Sequence, residues 1–197
     1  MLSIAGISLL AYCAAILAST RSYQAHARQQ LLRVSSPAGR ITPYQPAEQQ
    51  AHTSSTVDRD SSPLGLLEIP RIQLSAVIAE GSSARILRVA VGHIPGTALP
   101  QQPGNMALVA HRDTFFRRLG ELKLGDEIRI QAGGNEYVYR VRFTDVVKPN
   151  ETWVLEPATG NTLTLVTCYP FHFIGPAPGR FVVRARRIWP VQEARGR

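Results

Sequence analysis

A single cysteine near the carboxyl end of the chain, Cys168, is the side chain best suited to nucleophilic chemistry. It closes the strand-like run of residues 162–168, and a Tyr-Pro turn follows at once. The other cysteine, Cys13, lies inside an N-terminal apolar run, so Cys168 has no evident disulfide partner. An unpaired thiol is either buried and inert or kept for its chemistry. A position at a strand end, where reactive side chains are often presented, favours chemistry.

Two further strand ends carry side chains that could assist a thiol. His111 follows the apolar run of residues 105–110, and its imidazole can accept and return a proton near neutral pH. Arg180 precedes the last apolar strand, and its guanidinium stays charged and can donate to a developing oxyanion. Each residue alone has a plainer explanation: an inert thiol, a structural histidine and a surface arginine. The residues by themselves leave both interpretations open.

Metal and cofactor patterns are missing from the sequence. The chain has 2 cysteines and 5 histidines, and neither a Cys-x-x-Cys motif nor a ligand-like histidine pair occurs. No acidic cluster suggests a calcium site. We therefore expect no cofactor and no metal.

The charge balance is basic, with a formal net charge of +8. Such a balance suits nucleic acid, an anionic membrane surface or an acidic cell wall. Zinc-finger spacing and aromatic RNA-binding motifs are absent, and the arginines are scattered, so a solvated basic face is the simpler explanation. We expect no nucleic-acid partner.

The first 20 residues predict a membrane anchor. Residues 1–18 carry no charged side chain and are near the lower length limit for a membrane-spanning helix. A cleaved signal peptide is the alternative, with an Ala-x-Ala-like site at residues 25–27. The arginines after the apolar run would place the following domain in the cytoplasm by the positive-inside tendency, which leaves the topology open.

Composition divides the rest of the chain. Residues 21–63, rich in Ser, Pro and Gln, predict a flexible linker. Residues 64–190 carry short strand patterns separated by turns, which is typical of a mostly-β barrel or sandwich. Within them, residues 83–90 predict a helix capped by Ser82 or Ser83, and residues 133–135 predict a hairpin. Residues 191–197 form a basic tail.

Three segments around the candidate residues resemble the signature segments of sortases, the membrane-anchored cysteine transpeptidases of bacterial surfaces. The run TLTLVTCYPF is similar to the Thr-Leu-x-Thr-Cys signature. The run NMALVAHRDTFFRRLGELKLGDEI resembles the histidine segment, and GRFVVRARRI resembles the arginine segment. The similar segments follow the order found in the family, from about Leu64 to Ile188. The residues around them are most similar to those of class D sortases.

The resemblance implies a closed eight-stranded sortase-type β-barrel with short helices, preceded by the transmembrane helix. It implies Cys168 as the nucleophile, His111 as the general acid and base, and Arg180 as the stabiliser of the oxyanion or substrate. Cys168 would attack the Thr carbonyl of a Leu-Pro-x-Thr-Gly-like sorting signal at the end of a protein substrate. An amine acceptor of the cell wall or another surface protein would then resolve the thioacyl enzyme. The enzyme would cross the cell membrane once, with its catalytic domain outside the cytoplasm.

Two alternatives use the same chain differently. A thiol hydrolase would release surface proteins instead of linking them, and it would share every site residue. A membrane-tethered binding module would need Cys168 to be buried and unreactive.

Four other polar residues lie in or near these segments. Thr167 either hydrogen-bonds near the nucleophile or is simply a β-branched strand residue. His93 is expected to be a loop residue that lines the approach to the site. Asp113 is expected to form a turn, and His172 is not expected to take part in catalysis.

Overall fold

The computed structural model of the chain describes residues 2–34 and 63–190, so the predicted basic tail lies outside the described residues. A long helix, α1 (Leu2–Val34), comes first, and a short helix, α2 (Ala84–Val89), lies between the second and third strands. The strands are β1 (Pro63–Ile69), β2 (Leu74–Glu80), β3 (Val91–His93), β4 (Gly104–Val109), β5 (Glu127–Ala132), β6 (Asn135–Val147), β7 (Asn161–Tyr169) and β8 (Gly179–Trp189).

The eight strands close into a barrel in the order β1-β2-β3-β4-β7-β8-β6-β5, and β5 returns to pair with β1. β3 runs parallel to β2, and β4 runs parallel to β7. The other neighbours are antiparallel. This topology confirms the predicted closed eight-stranded barrel.

Strand alternation separates the barrel interior from its outer wall. Leu163 and Leu165 of β7 and Val183 of β8 belong to the buried central core. Successive side chains of a strand point to opposite faces, so the even-numbered residues of β7 and β8 line the outer wall. Cys168 and Arg180 have this outward parity.

Helix α1 extends through residues 21–34, where the sequence predicts the start of a flexible linker. That part of the linker prediction is wrong for a physical reason. The segment is free of Pro and Gly and rich in good helix formers. Tyr23, Ala27 and Leu31, spaced four residues apart, form a stripe that packs on the β1–β2 face of the barrel. The remainder of the predicted linker, residues 35–62, lies outside the described residues.

Gln24 adds hydrogen bonds to this apolar contact between helix α1 and the barrel. Its side-chain carbonyl accepts a hydrogen bond from the Val77 backbone N–H at 2.8 Å, and its amide donates to the Val89 carbonyl at 2.7 Å. One turn further along, Arg28 donates to the Ser75 hydroxyl at 2.6 Å. The second half of α1 is therefore an integral part of the barrel surface.

The structure does not support the membrane-spanning helix predicted for residues 1–20. Within the described parts of the chain, no helix combines the length and the apolar character needed to cross a membrane.

Candidate active site

The nucleophile candidate and the arginine candidate lie on adjacent strands. Cys168 of β7 is the register partner of Arg180 of β8 in an antiparallel ladder. Directly opposite residues in such a ladder have Cα atoms about 4.5–5.5 Å apart. Both side chains are half-buried. The ladder therefore places a partly accessible thiol beside a guanidinium on the outer wall.

His111 approaches the same point from the opposite side of β7. The parallel register pairs Val109 of β4 with Val166 of β7. Just past the strand end, the Ala110 N–H donates to the Val166 carbonyl at 3.4 Å. Two residues beyond this last register pair stand His111 in one segment and Cys168 in the other, and both are half-buried. The structure thus brings all three predicted residues to one end of β7.

Thr167 joins the segments that carry the thiol and the imidazole. Its hydroxyl donates to the Ala110 carbonyl at 2.8 Å, and the side chain is buried. The bond links the residue before Cys168 to the residue before His111. The sequence left this role open, and the structure shows a hydrogen bond next to the site.

Arg180 has guanidinium donors available for a ligand. Its Nη1 donates to the carbonyls of Gly179 at 2.9 Å and Ala177 at 3.4 Å. Its Nε and Nη2 have no hydrogen-bond partner among the residues that the structure describes. A guanidinium carries five N–H groups in a fixed fork, so these two nitrogens can donate to an oxyanion while Nη1 holds the loop.

Arg112, which the sequence prediction missed, binds the loop between β7 and β8. Its Nη1 donates to the Pro170 carbonyl at 3.0 Å, and its Nη2 donates to the carbonyls of Phe173 at 2.8 Å and Gly175 at 3.0 Å. The guanidinium also lies 5.7 Å from the centre of the Phe173 ring. No sequence signal marks this role, because the three acceptors are main-chain carbonyls about sixty residues away.

An aromatic cluster packs between the same loop and the barrel core. The ring of Phe171 lies 5.9 Å from that of Tyr169 and 5.4 Å from that of Phe181, measured between ring centres. Phe171 also covers Gly120, where an added Cβ would come within 2.6 Å of the ring. The apolar packing closes this end of the barrel beneath the outer-wall site.

His93 is a buried residue of strand β3, so its prediction as a loop residue lining the approach is wrong. Only 2% of it is exposed. Its Nδ1 lies 2.8 Å from a carboxylate oxygen of Glu80, and its Nε2 lies 3.1 Å from the Ala98 carbonyl. The segment becomes a strand because it bridges β2 and β4 in the barrel wall.

The remaining polar residues near the site have simple surroundings. Asp113 is exposed in a turn, as predicted, and His172 is exposed in the β7–β8 loop. In the part of the chain that the structure describes, no group of three or more His, Cys, Asp or Glu side chains could hold a metal ion.

The arrangement suits acyl transfer by a thiol. A partly accessible thiol, an imidazole just past the end of the neighbouring strand and a guanidinium with free donors are the parts needed for covalent catalysis at a carbonyl carbon. Cys168 and Arg180 have the outward parity of their strands, so an extended peptide can reach them from outside the barrel. An inert thiol would not need these neighbours.

Comparison with known proteins identifies the same region. The model of the family described as "Sortase domain" matches residues 67–188. Sortase D of Bacillus subtilis (strain 168) is 38% identical over 125 residues, which cover 63% of this chain and 63% of that protein. The match therefore spans less than two thirds of the relative's own length.

Several solved sortase structures are similar to this chain in both fold and sequence. The Sortase D5 transpeptidase of Clostridium perfringens is 32% identical with a TM-score of 0.59, covering 64% of this chain and 79% of that one. Sortase C-1 of Actinomyces oris is 34% identical with a TM-score of 0.60, covering 67% and 77%. Sortase E1 of Streptomyces coelicolor, solved with a tripeptide in its active site, is 30% identical with a TM-score of 0.59, covering 64% and 88%.

Proposed function

Because the chain belongs to the sortase family, we propose that it is a cysteine transpeptidase that exchanges one peptide bond through a thioacyl intermediate on Cys168. The observation that carries the proposal is the convergence at the end of β7. Arg180 pairs with Cys168 from one side, and the end of β4 brings His111 from the other.

The first half-reaction forms the thioester. His111 takes the proton of the Cys168 thiol, the sulfur attacks the carbonyl carbon of the scissile peptide bond, and the carbonyl oxygen takes up the electron pair. The free Nε and Nη2 donors of Arg180 stabilise that oxyanion. When the oxyanion collapses, the carbon–nitrogen bond breaks, and His111 gives a proton to the departing amine.

The second half-reaction restores the enzyme. An acceptor amine attacks the thioester carbonyl, and His111 removes the proton that the amine loses. The carbon–sulfur bond then breaks, Cys168 leaves as a thiolate, and His111 returns the proton to it. One peptide bond is broken and one is formed, so neither an oxidant nor water is consumed.

The proposed substrate is a protein with a C-terminal Leu-Pro-x-Thr-Gly-like sorting signal, cut at the Thr carbonyl. The proposed acceptor is an amine of the cell wall or of another surface protein. Family membership supports both, and a related sortase has been solved with a tripeptide in its active site. An outer-wall site beside the edge of the β7–β8 loop can accommodate an extended chain.

Incubation with a Leu-Pro-x-Thr-Gly peptide, with and without an added amine, tests the function. We expect mass spectrometry to detect a thioacyl adduct on Cys168 and, with the amine, a transfer product. Cys168→Ala should give neither product while keeping the circular dichroism spectrum of the wild type. A free carboxylate as the main product in the presence of amine would identify a hydrolase instead. Peptide cleavage by Cys168→Ala would overturn the assignment.

We further propose that the protein is held at the cell membrane with its catalytic domain outside the cytoplasm. The first half of α1 supports this, since Ile7, Leu10 and Leu17 are exposed apolar side chains. Fractionation of cells that express the full chain or a chain without residues 1–20 tests the location. Recovery of both proteins in the soluble fraction would contradict it.

A further inference from the structure

We propose that Arg112 is a positioning residue for His111, fixing the imidazole relative to Cys168 by binding the β7–β8 loop. This inference rests on the proposed function, because it assigns Arg112 a role in the same reaction. Arg112 does not need to touch the substrate. It acts through the segment that carries the base.

His111 needs a positioning contact of this kind because it lies outside the strand pairings of the barrel. Cys168 and Arg180 are both strand residues, and the β7–β8 pairing holds them in register. β4 ends at Val109, two residues before His111. The general base is thus the one member of the three whose position depends on contacts beyond the sheet.

The residue before His111 is tied to β7. The Ala110 N–H donates to Val166 at 3.4 Å, and the Ala110 carbonyl accepts from the Thr167 hydroxyl at 2.8 Å. These two bonds fix the backbone just before His111. Other contacts must hold the backbone that follows it.

After His111, the backbone bonds are local. The His111 carbonyl accepts from the N–H groups of Phe116 at 3.2 Å and Thr114 at 3.4 Å, which shape the turn but do not connect it to β7. The side chain of Arg112 makes that connection. Packing of Phe171 over Gly120 also joins the turn to the loop, but apolar packing is not directional.

The three acceptors of Arg112 need a guanidinium. Nη1 binds Pro170, and Nη2 binds Phe173 and Gly175, so one planar group reaches three carbonyls spread over a six-residue span. Hydrogen bonds from a charged donor are about twice as strong as neutral ones. An ammonium lacks the fixed fork and cannot reproduce this pattern. Lysine at this position should therefore release the loop.

The test measures alkylation of Cys168 by iodoacetamide together with peptide cleavage. Arg112→Gln should change the pH profile of alkylation, recorded between about pH 5 and about pH 9, to resemble that of His111→Ala. It should lower kcat by about 10- to 100-fold, with a smaller change in KM, since small misplacements of catalytic groups have effects of this size. Arg112→Lys should not rescue either quantity.

A double-mutant cycle tests whether the effect of Arg112 depends on His111. If Arg112 acts through His111, Arg112→Gln should change alkylation by less than about twofold in a His111→Ala background, because coupled residues are not additive. Additive effects would overturn the proposal, and so would a wild-type pH profile in Arg112→Gln, even if its kcat falls. Arg117→Gln, which changes an exposed arginine of the same turn, is the matched control and should behave as the wild type.

The experiment also distinguishes misfolding of the variant from failure of the proposed function. If Arg112→Gln does not fold, as judged by its circular dichroism, the same cycle is run with Arg112→Lys. If the wild type cleaves no sorting-signal peptide but alkylation depends on Arg112 and His111 as expected, the proposed function fails and the positioning role stands.

Discussion

Cys168 and Arg180 are direct register partners, so the β7–β8 ladder sets the separation of their Cα atoms. The loop between them can vary in shape without changing that separation. The pairing ties the backbone of Arg180, the proposed oxyanion stabiliser, to the sheet. Preorganised donors of this kind stabilise charge without reorganisation during the reaction.

Arg180→Ala should lower kcat for peptide cleavage by about 100- to 1,000-fold, the usual cost of removing an oxyanion donor. Arg180→Lys should restore little, because a point charge lacks the planar fork. Steady-state kinetics with a sorting-signal peptide measure both. The fold should be unaffected, since the side chain binds only carbonyls of its own loop. Near-wild-type kcat in Arg180→Ala would remove Arg180 from the mechanism.

Thr167→Val should lower the free energy of unfolding by about 1–3 kcal/mol, because it leaves the Ala110 carbonyl without its buried donor. Thr167→Ser keeps the hydroxyl and is the matched control. Urea denaturation of the two variants measures the difference. Equal stabilities would show that the hydrogen bond does not hold the end of β4.

His93→Phe should reduce stability by about 1–3 kcal/mol while leaving the alkylation rate of Cys168 unchanged. The substitution removes the partner of Glu80 and of the Ala98 carbonyl inside the barrel wall. Urea denaturation and thiol labelling on the same variant separate the two effects. A large fall in labelling with stability intact would give His93 a part in the chemistry.

Gln24→Met should loosen the second half of α1 from the barrel. The change removes the acceptor of the Val77 N–H and the donor to the Val89 carbonyl while keeping the side-chain length. Limited proteolysis should then cut α1 faster, and Gln29→Met, an exposed change on the same helix, should not alter the rate. Unchanged proteolysis in Gln24→Met would show that the apolar stripe alone holds the helix.

Tyr139 should make stability fall at high pH. Burial raises the pKa of its hydroxyl from 10.0 to about 12. Because the folded pKa is the higher one, this contribution is complete below about pH 10 and is lost as the pH rises through about 12, a change of about 3 kcal/mol. Tyr139→Phe should show a flatter decline in the free energy of unfolding over that range. Parallel declines in the two proteins would contradict the assignment.

Local signals in the sequence predict much of the barrel. The hairpin at residues 133–135 joins β5 to β6, and the Ser83 hydroxyl caps α2, as its position before the apolar run suggests. Chain direction and apolar runs also mark the strand ends at which the sequence predicts Cys168, His111 and Arg180. These features depend on residues close together in the chain.

Other features depend on partners that are distant in the chain. β3 has three residues, too few for alternation to reveal, and it exists because β2 and β4 flank it. The parallel pairing of β4 with β7, which brings His111 to Cys168, joins segments about sixty residues apart. The contacts of Arg112 are to main-chain carbonyls, which every residue has. No composition or spacing rule distinguishes the chosen ones.

The position of β8 also bears on how an active molecule is made. β8 is the last of the strands that the structure describes, yet it lies between β6 and β7 in the barrel wall. Until it inserts, the wall is open, and the chain that already contains Cys168 and His111 has no Arg180 beside them. Closure of the barrel and completion of the proposed catalytic group are therefore one event.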